Sequence, residues 1–453
     1  MGADDRAKLM DSLKAGRRSA RTRQSERPAA TPQERPVKRK VFDFKELPQI
    51  QQLQMHRAAA NMMGIENPFF RPHDGLAAGT SQIDNAVYDN FASYNYIGLN
   101  GHPEVTGAAQ RAVEQYGTSV SASRVVAGER PFHRELEQSL ARVHGVESAI
   151  VMVSGHATNV TTIGHLMQKG DLVLTDAYVH NSISEGVRLS GATRMNFPHN
   201  DLEALERLLS EHRHKFERTL IIVEGLYSMD GDFPDLKKVV RLKQSYDAWL
   251  MVDEAHSIGV LGKTGKGIAE HFGVDPNEVE VWMGTLSKTF SSCGGYIAGS
   301  KVLCDYLKVS APGFVYSVGL SAPLGAAAIE SCRLLEKEPE RVAKLQSNGK
   351  LFLKLAKAAG LDTGPSEGYA VVPIIVGDSA GAATLSNRLL ARGINALPII
   401  FPAVPEKSAR IRFFVTSEHT EDQIARAVQT TAAELDALRA DGNAVDRLIK
   451  AAR

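Results

Sequence analysis

Three cysteines stand in 453 residues, Cys293, Cys304 and Cys332, with no CxxC pair and no metal-ligand spacing. That excludes a disulfide-stapled scaffold and a zinc site, and points to reduced thiols. Net charge is nearly absent: 53 Lys and Arg face 52 Asp and Glu. No whole-molecule field therefore favours nucleic acid. There is no run of about 18 apolar residues, so no membrane span is expected. The first residues lack the apolar core of a secretory signal, and a cytoplasmic protein is expected. One missing glycine is equally informative. The stretch LMVDEAHSIGVLGKTGKG, 250–267, holds DEAH and GKT, letters familiar from ATP-driven motors. A phosphate-binding P-loop needs G-x-x-x-x-G-K-[ST]. Counting back from Gly262–Lys263–Thr264, its first glycine falls at Ser257. The order is also inverted, because the loop follows the acidic box. The motor reading fails.

What is present is ordinary globular material, 43% hydrophobic and 23% charged, enough for two or three domains with substantial cores. Residues 1–44 form a basic, Pro- and Ser-containing extension that is expected to be disordered. Residues 45–94 predict a helix, with Gly64 as its C-cap, and strand structure. From 95 to 325, apolar runs of strand length alternate with helical stretches: SAIVMVSG, DLVLTD, TLIIVEG, AWLMVDE, VEVWMG and GGYIAGS. This is the pattern of an α/β domain with a mostly parallel central sheet covered by helices on both faces. Residues 326–453 read as a smaller C-terminal α+β domain.

AWLMVDEAH places Asp253 and His256 at the carboxyl end of a buried strand, where parallel sheets bind ligands. Thirty-five residues on, Lys288 follows VEVWM inside GTLSK. A lysine, an aspartate and a histidine at strand ends suit pyridoxal phosphate (PLP). Lys288 would hold its aldehyde carbon, and Asp253 would keep the pyridine nitrogen protonated. His256 suits the ring oxygen. VSGHATN is a strand-to-helix turn whose Gly155 and His156 amides suit the phosphate. Thr285 adds a hydroxyl near Lys288. His180, in DAYVHNS, suits a place over the ring.

These motifs stand in an ordered series with others: NFASYNYIGLNGHPEV, SASRVVAGERPFHRELEQSLA, EGLYSMDGDFPDL, GTLSKTFSSCGGYIAG, YSVGLSAP and ARIRFFVTSEHT. From about 45 to 438 the chain resembles the α-oxoamine synthases, PLP enzymes of fold type I. The resemblance implies roles for Lys288, Asp253, His256 and His180 as above, with Ser228 also near the ring oxygen and Thr285 at the phosphate. It implies that Arg412, the second arginine of ARIRFF, clamps the amino-acid carboxylate, since a guanidinium fork matches a carboxylate. It implies a homodimer with shared active sites, in which Ser317 reaches the neighbour's phosphate. The family often has a small hydroxyl two residues on, where this chain has Gly319.

The implied reaction is a decarboxylative Claisen condensation of an amino acid with an acyl thioester, giving an α-amino ketone. SYNY, 93–96, looks like the serine-using branch, with Tyr94 or Asn95 bonding a carboxylate oxygen. Serine and a long acyl chain, giving a product such as 3-ketosphinganine, are therefore favoured. Alanine or glycine use, as in 8-amino-7-oxononanoate synthase or polyketide-linked enzymes, is the alternative, and an aminotransferase is a further one. A catalytically silent subunit is disfavoured because Lys288 is present. The donor is acyl-CoA or an acyl carrier protein. The basic extension suits an acidic carrier protein or a peripheral contact with an anionic bilayer. In DEAH, Glu254 and Ala255 are expected only to space Asp253 from His256, and the glycine-rich loop after them is expected close to the acyl entrance or the dimer interface.

Overall fold

The computed structural model describes residues 43–442. The basic extension expected over 1–44 lies almost wholly outside the described residues. The chain divides into two units after Arg57. In the first, Asp43 caps a short 3-10 turn, Phe44–Glu46, by accepting the Lys45 amide hydrogen at 3.0 Å. The helix Pro48–Met62 begins in this unit, and none of its residues is buried. Beyond it, Gly64 takes φ 66° in the left-handed region and ends the helix as expected.

The second unit opens with a hairpin, β1 (Thr80–Ile83) and β2 (Ala86–Asn90). Its two-residue turn, Asp84–Asn85, has φ of 48° and 65°, the geometry that matches strand twist. Seven strands then build the main sheet: β3 (Ser148–Met152), β4 (Leu172–Asp176), β5 (Thr193–Phe197), β6 (Thr219–Glu224), β7 (Trp249–Asp253), β8 (Val281–Thr285) and β9 (Gly295–Gly299). Their spatial order is β3-β9-β8-β7-β6-β4-β5. The pairs from β5 through β8 are parallel, and β9 runs antiparallel to both neighbours. Alternate residues of each central strand enter different cores. Ile221, Val223, Leu250 and Val252 pack on one face, and Leu220, Ile222 and Met251 on the other. Both faces are covered, which is why these strands read as unbroken apolar runs. β5 is the strand that the sequence reading missed. TRMNF is an edge strand with one fully buried residue, Phe197, so its apolar signal is weak.

The C-terminal part adds β10 (Val371–Gly377), β11 (Ile394–Asn395), β12 (Leu397–Ile399) and β13 (Ala409–Phe414). β10, β13 and β12 form an antiparallel sheet, while β11 pairs with β2. A separate core around Phe352, Ile374, Leu389 and Phe413 holds this sheet against its helices. Among the described residues no helix is long and apolar enough to cross a membrane. Cys304 and Cys332 are buried free thiols and Cys293 is an exposed one.

Candidate active site

Neighbouring parallel strands end on the residues that carry charge. β6 ends on Glu224 and β7 on Asp253, while Lys288 lies three residues beyond β8. His180 follows β4 and caps the helix Asn181–Ser190. Lys288, Asp253, His256, His180, Ser228, Thr285, Gly155, His156, Tyr94 and Arg412 all line one cavity of about 370 Å³. Two predicted residues are not on its wall. Asn95 lines an adjoining cavity, and Ser317 lines a small cleft near Arg124.

Asp253 is 4% exposed and accepts hydrogen bonds from Asn159 Nδ2 and the Ala255 amide, each at 2.9 Å. Lys288 has no ion-pair partner among the described residues; its Nζ lies 5.7 Å from the centre of the Tyr94 ring. Burial pushes its pKa down to about 8, against the pull of Asp253 above all. A lysine so tuned is partly a free base near neutral pH.

His256 is held by Tyr96, whose Oη lies 2.7 Å from Nδ1. Burial raises the Tyr96 pKa well above the usual phenol value, so Tyr96 keeps its proton. Burial, with Lys288 and Arg412 nearby, holds His256 neutral. His180 is fixed similarly. Its Nδ1 accepts the Ser182 amide hydrogen at 3.2 Å, and its own amide donates to Glu224 Oε1 at 2.5 Å. Asn159 bridges Asp253 to Ser182 Oγ, 3.0 Å away.

Ser154 caps the helix Gly155–Leu166, leaving first-turn amides without intrahelical partners. A Cβ on Gly155 would sit 2.9 Å from Thr285 Oγ1, so only glycine lets this helix end approach β8 so closely. Arg412 is separated in role from Arg410. Arg410 is ion-paired with Asp230, whereas Arg412 Nη1 reaches only the Ser228 carbonyl at 3.1 Å and the Met229 sulfur. The Arg412 Nε is buried and unpartnered, and the guanidinium lies 4.6 Å from the Phe414 ring centre. An orphaned buried donor fits an incoming carboxylate.

Two expectations need correction. Asn95 does not line the cavity that holds Asp253 and Arg412. Nδ2 is committed to the Ala77 carbonyl and Glu418, and Oδ1 to the Asn100 amide. Nor is Glu254 of DEAH an idle spacer. It is 1% exposed, accepts from Ser257 Oγ and from the Ile268 amide at 3.0 Å, and so ties down the glycine-rich loop. Gln346 Nε2 holds the same loop through the Val260 and Gly262 carbonyls. The loop lines neither cavity at Lys288, so it does not border an acyl entrance there. Residues without an assigned role in the sequence reading are Glu224, Tyr96, Asn159, Ser182 and Ser287. Glu224 had a legible signal, since TLIIVE ends on an acid just as WLMVD does.

The aminotransferase class I and II family model matches residues 88–430. The 8-amino-7-oxononanoate synthase 1 of Bacillus velezensis is 40% identical over 338 residues, 75% of this chain and 86% of that one. The chain belongs to the α-oxoamine synthase family. Sphingomonas wittichii serine palmitoyltransferase superposes with a TM-score of 0.83 at 27% identity, covering 88% of this chain and all of the other. A serine palmitoyltransferase from S. paucimobilis, with a TM-score of 0.84 at 27% identity over 88% of this chain and 100% of its own, carries a bound PLP–myriocin aldimine. This protein is thus a PLP-dependent α-oxoamine synthase of fold type I, and the site fits the cofactor. The carboxylate of Asp253, the amides of Gly155 and His156, and the amine of Lys288 are the groups that PLP requires. Bound PLP supplies an electron sink for charge developing at the amino acid's α-carbon.

Proposed function

We propose that this protein condenses a small amino acid, alanine foremost, with an acyl thioester and releases CO2 and thiol. The observation that carries this reading is a second cavity of about 420 Å³, which shares Tyr94, Ser287 and Lys288 with the first. It gives Lys288 a second chamber for an acyl donor. Among the described residues its wall has no arginine, and Lys288 is its only lysine.

The chain's residues divide the work. Arg412 holds the amino-acid carboxylate. Lys288 Nζ takes the α-proton, and its lowered pKa makes that transfer feasible. The α-carbon then bonds to the acyl carbon while the carbon–sulfur bond breaks and the thiol departs. Loss of the carboxylate as CO2 follows, and a proton returns to the α-carbon. His180 donates from Nε2–H to the developing acyl oxygen.

Alanine is favoured by the relatives. An 8-amino-7-oxononanoate carries CH3–CH(NH2)–CO–, the alanine skeleton without its carboxylate. The serine reading from SYNY is second, supported by the likeness to serine palmitoyltransferases. A homodimer with Ser317 in the neighbour's site is part of the proposal, and the exposed Val126 and Tyr316 nearby suit a subunit contact. The test is an absorbance titration of the PLP-loaded protein with alanine, serine and glycine, followed by product mass after adding acyl-CoA donors of several lengths. Alanine should bind and react best; a serine-only response would move the assignment to the serine branch.

A further inference from the structure

Glu224 and Asp253 are register partners in β6 and β7, 3% and 4% exposed. Two carboxyl groups buried this close cannot both ionise cheaply. Their hydrogen bonds decide between them. Asp253 accepts two N–H groups, from Asn159 and Ala255. Glu224 accepts one, the backbone N–H of His180. The other groups facing Glu224 are Asp176, Lys288 and the Tyr227 phenol. Burial above all, then Asp253, raises the Glu224 carboxyl well beyond the usual carboxylate range. The His180 ring is fixed from its other side by the Ser182 amide. Its place on the cavity wall therefore depends on Glu224 through one backbone bond.

We propose that Glu224 is a positioning residue acting as a neutral carboxylic acid, which anchors the His180 backbone and leaves the site's negative charge on Asp253. Oε1 accepts the His180 N–H, so the proton sits on Oε2. The inference rests on the reading of Lys288 and Asp253 as cofactor ligands.

Glu224→Gln and Glu224→Ala, made in the full-length PLP-loaded enzyme, test it. Glutamine is neutral and keeps the acceptor. At pH 7 its cofactor absorption and PLP dissociation constant should match the parent's, with kcat within about twofold. Its alkaline loss of kcat should shift to higher pH, because no carboxyl remains to ionise. Alanine should lower kcat by about tenfold or more with a smaller change in KM, and should alter the cofactor absorption as His180 moves. A Gln variant as impaired as Ala, with a changed spectrum, would overturn the proposal by showing that the ionised form is needed. An Ala variant equal to the parent would overturn it equally. If Ala fails to fold, the Gln spectrum and pH profile decide alone. Parent protein that takes up no PLP would instead refute the cofactor reading, which keeps the two failures apart.

Discussion

Two clusters at the carboxyl ends of the same sheet treat their cations in opposite ways. Around His199, Asp176 Oδ1 and Asp232 Oδ2 each lie 2.9 Å from a ring nitrogen. Burial opposes protonation there, yet the two carboxylates push the His199 pKa up to about 10. Around Lys288 the cation has no ion-pair partner among the described residues, and burial draws its pKa down to about 8. Arg412, beside it, keeps an unpartnered Nε. A paired charge is a clamp between loops, whereas an unpaired one in a cavity is poised for chemistry. The difference separates structure from catalysis within one rim of the sheet.

Substitutions can break that contrast. Lys288→Ala should have the largest effect, lowering condensation by about 10²- to 10⁴-fold and abolishing the absorption band of the lysine-bound cofactor seen before amino acid is added, checked by spectrum and turnover. Arg412→Met should raise KM for the amino acid by roughly 10- to 100-fold, with kcat changed less, as steady-state kinetics would show. His199→Gln should leave turnover near the parent's but reduce stability in a pH-dependent way. The folded pKa is raised above the unfolded value, so the His199 contribution is complete below about pH 6.5 and is lost as pH rises towards 10. After allowance for partial exposure it amounts to about 2 kcal/mol, so the parent's advantage in Tm should shrink across that window. Tyr96→Phe should be mildest, a loss of about 1–2 kcal/mol from the bond to His256, read as a small fall in Tm and a shift in cofactor absorption. If His199→Gln abolished turnover while Lys288→Ala did not, the contrast would be inverted.

Much of this site was legible in the sequence because it sits where local pattern and chemistry coincide. Asp253, His256 and Lys288 follow unbroken apolar strands, and Gly155 opens a helix. Arg412 came from family likeness; its difference from Arg410 lies in the ion pair to Asp230, a contact between residues far apart in the chain. Glu254 misled because DEAH gives no sign that its acid folds back onto the Ile268 amide. Asn95 misled for the same reason, since its partners Ala77 and Glu418 come from two other segments. Tyr96 and Glu224 were visible as letters, but their roles depend on one hydrogen bond each to a distant histidine residue. Sequence pattern shows which residues end strands, while pairing across the fold decides which of them stay free to react.

The central claim is best tested by following both products of one reaction. Purified protein, PLP, alanine and an acyl-CoA should release free CoA and CO2 in equal amounts, together with an α-amino ketone of the summed mass less CO2 and CoA. Formation of pyruvate and an aminated cofactor without thiol release would contradict the account.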